Sequence, residues 1–149
     1  MSTTAANVQP IWIAKGDLSK DNGTGMNNAI TLAANDYTGA GANNSLVHTA
    51  GADGSRVERL KFTSSGTNVA TVARIFVNNG SANTTAANNT LIGEITLPAT
   101  TASAVAALVS PEFVMPAGAL ALNGGFKIYV GLGTAVAAGW TVTPIAGQY

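Results

Sequence analysis

Cysteine is absent from the 149 residues, which excludes disulfide staples, thiolate metal sites and a cysteine nucleophile. Charge is almost as scarce, at 9% of residues where soluble domains carry about 25%. Seven Lys/Arg balance seven Asp/Glu, so no net field draws the chain toward nucleic acid or an anionic membrane surface. A coiled coil, a basic nucleic-acid binder and an acidic tail are excluded on the same ground. No run approaches the roughly 18 apolar residues that span a bilayer. Met1 to Asn7 is polar without an apolar stretch, so neither a signal nor a transit peptide is expected, and synthesis is expected in the cytoplasm. What is abundant is Ala, Thr, Gly and Asn, which make up about half of the chain. Five Asn-x-Ser/Thr triplets, at Asn22, Asn43, Asn79, Asn83 and Asn88, follow from that composition and read as loops.

The length suits one domain with a sizeable core, and alternation identifies it as all-β. Leu91, Gly93, Ile95 and Leu97 share one face opposite Ile92, Glu94 and Thr96, and Phe126, Ile128, Val130 and Leu132 repeat the pattern. In Arg56 to Thr63, Leu60 and Phe62 oppose Arg59, Lys61 and Thr63, with Val57 out of phase, as a bulge would allow. Val69 to Val77 differs: Val69, Thr71, Ala73, Ile75 and Val77 form one face, and Val72 and Phe76 flank Arg74 on a second, partly apolar one. Both faces of that strand are expected to be covered.

Shorter strands are expected at Ile11–Ala14, Ala29–Ala33, Leu46–Thr49, Phe113–Met115, Ala119–Leu122 and Trp140–Thr143. Turns fall at Ser64-Ser65-Gly66, Asn78-Asn79-Gly80 and Asn123-Gly124-Gly125. Thr100 to Val109 is Ala-rich enough for a helix and weakly alternating enough for a strand. Long Gly/Asn/Thr-rich loops are expected at Asp17 to Asn28 and Asp36 to Asp53, with a hairpin tip at Ser81 to Asn89. The expected fold is a single antiparallel β-sandwich, jelly-roll-like, of about eight strands: residues 1–10 as a flexible N-terminal arm, 11–149 as the sandwich. Leu60, Phe62, Ile75, Val77, Ile95, Leu97, Ile128 and Val130 are its expected core.

Chemistry-bearing residues are few. The single histidine, His48, precedes Asp53 by five residues, but no Gly-x-Ser-x-Gly motif places a serine nucleophile, so a strand-edge or loop histidine is expected. Glu94 and Glu112 read as solvated charges instead of an acid/base pair. Asp17 to Gly23 has oxygen ligands at alternate positions but a late glycine, Lys20 within it and Asn28 where a calcium loop needs Glu. There is no P-loop, and Gly131-Leu132-Gly133 is no dinucleotide fingerprint. Arg56, Arg59 and Lys61, beside Glu58, read as a solvated strand face. Trp12, Tyr37, Trp140 and Tyr149 are candidates for a sugar-stacking platform, although they are spread along the chain. No catalytic residues, cofactor or metal are expected.

Asp53-Gly54-Ser55-Arg56-Val57-Glu58-Arg59-Leu60, Ala73-Arg74-Ile75-Phe76-Val77-Asn78-Asn79-Gly80, Gly93-Glu94-Ile95-Thr96-Leu97-Pro98 and Lys127-Ile128-Tyr129-Val130-Gly131-Leu132-Gly133-Thr134 form one set of phrases. With the close from Ala138-Gly139-Trp140-Thr141-Val142 to Gly147-Gln148-Tyr149, they resemble small structural proteins of tailed-bacteriophage particles, in particular head decoration (cement) proteins with a jelly-roll-like fold. The resemblance implies a non-enzymatic virion protein on the capsid surface, assembled in the host cytoplasm and binding the major capsid protein as a homo-oligomer, a trimer before a dimer. A tail or baseplate accessory and a host-glycan-binding jelly-roll module are the alternatives, with a hydrolase behind both. Neither nucleic acid nor membrane is an expected partner. The expected partner interface is Ile11, Trp12 and Ile13, which follow Pro10 as an edge strand, together with Val72 and Phe76.

Overall fold

A computed structural model of the chain describes residues 11–12 and 29–149. Among the described residues, nine strands form two antiparallel sheets. Strands β1 (Ile11–Trp12), β9 (Trp140–Gln148), β3 (Ser55–Ser64) and β6 (Glu112–Val114) lie side by side in the first sheet. There β7 (Leu120–Leu122) continues the line of β6 along β3. Strands β2 (Ser45–Thr49), β8 (Lys127–Leu132), β4 (Thr71–Asn78) and β5 (Asn89–Leu97) form the second sheet in that order. With β6 and β7 taken as one interrupted strand, the chain passes from sheet to sheet at every connection except the β4–β5 hairpin. That is the order of a jelly roll.

Period-two patterning produces the core. Leu60, Phe62, Trp140 and Val142 project from the first sheet toward Ile75, Leu97, Ile128, Val130 and Leu132 of the second, all of them buried. Six of the eight expected core residues have no exposed surface, whereas Val77 and Ile95 are partly buried and pack against the cluster. The out-of-phase Val57 is accommodated by a bulge: the pairing of β3 with β9 shifts register between Val57 and Arg59, so Val57 and Leu60 both point inward. The interruption between β6 and β7 follows Met115, which is buried and donates its N–H to Glu58 O at 2.9 Å. Pro116, Ala117 and Gly118 then turn the chain, the last two with positive φ.

Three expectations change. Thr100–Val109 is neither helix nor strand. Ser103 Oγ accepts the N–H groups of Val105 and Ala106, a local alternative to helical bonding. Ala29–Ala33 makes only isolated bridges, Ile30 to Trp140 and Ala33 to Leu132. Strand β9 runs past Thr143 through the buried Pro144, a residue that reads in sequence as a strand breaker. The other short strands fall within a residue or two of their expected places. Ile13, Ala14 and the whole Asp17–Asn28 segment, with its calcium-like spacing, lie outside the described residues, as does the 1–10 arm.

Candidate interaction surface

The reactive inventory is built into the framework. His48 sits on edge strand β2, where a register shift between Leu46 and His48 turns both Val47 and His48 into the interior. Its Nε2 lies 2.8 Å from Ser55 Oγ at the start of β3. With exposures of 1% and 0%, His48 and Ser55 have no approach for a substrate, and Asp53 is exposed in the turn before β3. The bond ties the edge of one sheet to the centre of the other.

Charges sit in short-range pairs. Arg59 Nε and a Glu112 carboxylate oxygen form an ion pair at 3.3 Å with both side chains well exposed, and Arg56 lies 3.8 Å from Glu58. Exposed pairs of this kind contribute about 0–1 kcal/mol. Arg56, Arg59 and Lys61 share the solvent-facing side of β3 as expected. Glu94, expected as a free solvated charge, accepts from Arg74 Nε at 2.8 Å across the β4–β5 pair. Among the described residues, no group of three or more His, Cys, Asp or Glu could hold a metal ion. No described helix is long and apolar enough to cross a membrane.

The second apolar face of β4 is covered from within the chain. Residues 34–44 cross the outside of the second sheet: Gly39 lies against the Phe76 ring, Tyr37 stacks on the Arg74 guanidinium at 3.8 Å, and Ala34 and Asn44 press on Gly131. A Cβ on Gly131 would collide with Asn44 Oδ1, so only glycine lets this layer close down. Asp36 holds the crossing in shape. Its carboxylate accepts from Thr38 N and Oγ1 (both 2.6 Å), Gly39 N (2.9 Å), Gly41 N (2.9 Å) and Asn44 Nδ2 (2.7 Å). Burial works to raise its pKa, but the bonds from Thr38, Asn44 and Gly41 outweigh burial and lower it from 3.8 to about 2.

Phe76 is therefore inaccessible, at 0% exposure, and is corrected as an interface residue; Val72 remains partly exposed. Ile11 and Trp12 pair with Gln148 and Gly147 of the chain's own β9, which makes β1 an edge of the first sheet. Ile13 lies outside the described residues. Of the aromatic candidates, Trp140 is a core residue, while Tyr37 and Tyr149 reach the surface.

No family model, curated protein or solved structure matches this chain.

The most exposed apolar side chain, Val105, lies on a connection that forms neither strand nor helix. The 98–111 connection crosses from β5 to β6 and is pinned at both ends. Thr100 exchanges backbone bonds with Asn68 and donates its hydroxyl to Gly66 O at 2.6 Å, while Pro111 O accepts from Phe62 N at 2.8 Å. Between these pins every residue from Thr101 to Ala107 is exposed. Val105 is 96% and Val109 53% exposed, and Val114 (60%) on β6 and Val69 (57%) beside Asn68 flank the anchors. Thr101 to Ser110 contains no charge. Its sequence signal was the Ala/Val run between Pro98 and Pro111, which the helix and strand readings both treated as material for the fold.

Proposed function

We propose that this protein is a non-enzymatic structural component of a tailed-bacteriophage particle, a decoration protein that binds the outside of the capsid and stabilises the shell. The reading rests on the sequence phrases set out above, and the jelly-roll order agrees with it, this being an architecture shared by many virus-shell and lectin domains. The observation that carries it is the 101–110 arm: an uncharged Ala/Val segment held at both ends on a rigid sandwich and left in water. Exposed apolar segments of this kind mark interaction sites. In this reading the arm enters a cleft between major capsid protein subunits, and the protein sits there as a homo-oligomer, a trimer before a dimer.

Electron microscopy of particles assembled with and without the protein tests the reading. Added density over the junctions between capsid subunits is the expected result. Density on the tail alone would transfer the protein to the tail or baseplate, and particles identical in both preparations would refute the proposal.

A further inference from the structure

The β7–β8 turn, residues 123–126, packs against the 51–54 turn that leads into β3. Gly125 N donates to Ala50 O at 3.2 Å, and Phe126 N closes the turn on Asn123 O at 3.1 Å. A Cβ on Gly124 would collide with Ala52 O, so the approach of the two turns demands glycine directly after Asn123. Packing thus fixes an Asn-Gly pair at the surface of the fold, with both residues exposed.

Asn-Gly is the most labile amide sequence in a polypeptide, because no side chain shields the glycine nitrogen from the asparagine Cγ one residue before it. Attack by that nitrogen needs an N–H free to lose its proton and an asparagine side chain free to turn. Three Asx-Gly pairs lie among the described residues, and two of them are held. Gly54 N donates to Gly51 O at 3.0 Å. Gly80 N donates to Asn78 Oδ1 at 2.8 Å, while Asn79 accepts from Ser81 N at 3.1 Å and donates from Nδ2 to Asn88 Oδ1 at 3.3 Å. At the third pair, neither Gly124 N nor the Asn123 side chain makes a hydrogen bond among the described residues.

We infer that Asn123 is a self-modification site, an asparagine that the fold leaves to deamidate through its neighbour Gly124. Solvent base takes the Gly124 amide proton, the nitrogen bonds to Asn123 Cγ, and the Cγ–Nδ2 bond breaks as ammonia leaves with a proton from water. Water then adds to either carbonyl of the cyclic succinimide and opens it to aspartate or isoaspartate. The sum consumes one water and releases ammonium, leaving a carboxylate, with nothing oxidised or reduced. Each conversion takes the chain from a net charge of zero to one negative charge, in a turn packed on the one that carries the exposed Asp53. Purified chain suffices for this chemistry, which is independent of any capsid.

The test incubates the full chain at neutral and at mildly alkaline pH, beside synthetic peptides spanning 120–127 and 76–83, in which nothing holds the amides. Peptide mapping by mass spectrometry, with enzymatic methylation of isoaspartate, times each site. Asn123 in the folded chain is expected to convert within about tenfold of the rate in its peptide, since it has no hydrogen bond to break first, and faster at the higher pH. Asn79 should fall behind its own peptide by about tenfold or more, because the bonds at Gly80 N and at its side chain must open before attack. Protection of Asn123 well beyond tenfold relative to its peptide overturns the inference. Conversion of Asn79 in the folded chain at the same rate as Asn123 overturns it as well, because the free amide would then confer no selectivity.

Discussion

Two long connections leave this sandwich, and they behave in opposite ways. The 29–44 segment lies across the second sheet and buries Phe76, whereas the 98–111 segment is fastened at its ends and holds its Ala and Val residues in solvent. Apolar content does not separate them, since the exposed segment is the more apolar of the two. Polar anchoring does. A segment without secondary structure packs down only if its backbone N–H groups find acceptors. Asp36 offers one carboxylate to five donors, while the other segment between its pins has Thr67 Oγ1 taking the Ala102 N–H at 3.0 Å and Ser103 serving two amides locally. One half-buried acid turns a loop into a layer of the fold, and its lack leaves an arm.

The largest effect expected from this contrast is at the surface the first segment covers. Phe76→Ala should cost about 3–5 kcal/mol, because a ring enclosed between sheet and loop leaves a cavity that neither collapses freely. Val105→Ala on the arm should stay within about 0.5 kcal/mol. Urea unfolding of the two variants measures both, and similar losses would mean that the arm is packed in solution.

Next in size is the clamp itself. Asp36→Asn keeps the shape but turns an amide NH₂ toward groups that are themselves donors, so a loss of about 2 kcal/mol is expected. The same carboxylate makes stability depend on pH. Its folded pKa, about 2, lies below its ordinary 3.8, so its contribution is fully present above about pH 4 and is lost as pH falls toward 2. Wild type should lose about 2 kcal/mol more than Asp36→Asn over that interval. Parallel acid-unfolding curves for the two proteins would exclude the clamp.

How much of this was legible in the sequence follows from the same physics. Leu60 and Phe62 against Arg59 and Lys61, or Ile128 and Val130 against Lys127, announce their faces by alternation, because each strand has one wet side. Even the bulge at Val57 is visible as a break in phase. The sequence also indicates that both faces of β4 are covered, but periodicity does not name the cover. Asp36 lies 40 residues from Phe76 in a stretch that reads only as loop, and its role depends on which amides the turn gathers around it. The Arg74–Glu94 pair likewise needs the β4–β5 register, which a bulge between Ile75 and Phe76 displaces. The arm stayed hidden for a different reason: a run of Ala and Val reads as material for a strand or helix, and nothing in its own sequence says that no other part of the chain covers it.

The smallest effect on stability is expected on the arm, where the proposed function would be most affected. Val105→Asp with Val109→Asp places two charges on a segment already in water, so unfolding should move by less than about 0.5 kcal/mol. A charge driven into an apolar cleft, by contrast, is strongly penalised. If the arm is the capsid anchor, the double variant should therefore fold normally and be lost from particles that retain the wild type. Wild-type attachment should also persist at about 1 M salt, where the Debye length falls to about 3 Å, since an uncharged arm has no ion pairs to screen. Sedimentation of particles with bound protein at low and high salt reads both effects together. Retention of the double variant would move the contact elsewhere on the surface, and loss of the wild type in salt would assign it to the few exposed charges of β3 and β6, such as Arg56 and Glu112.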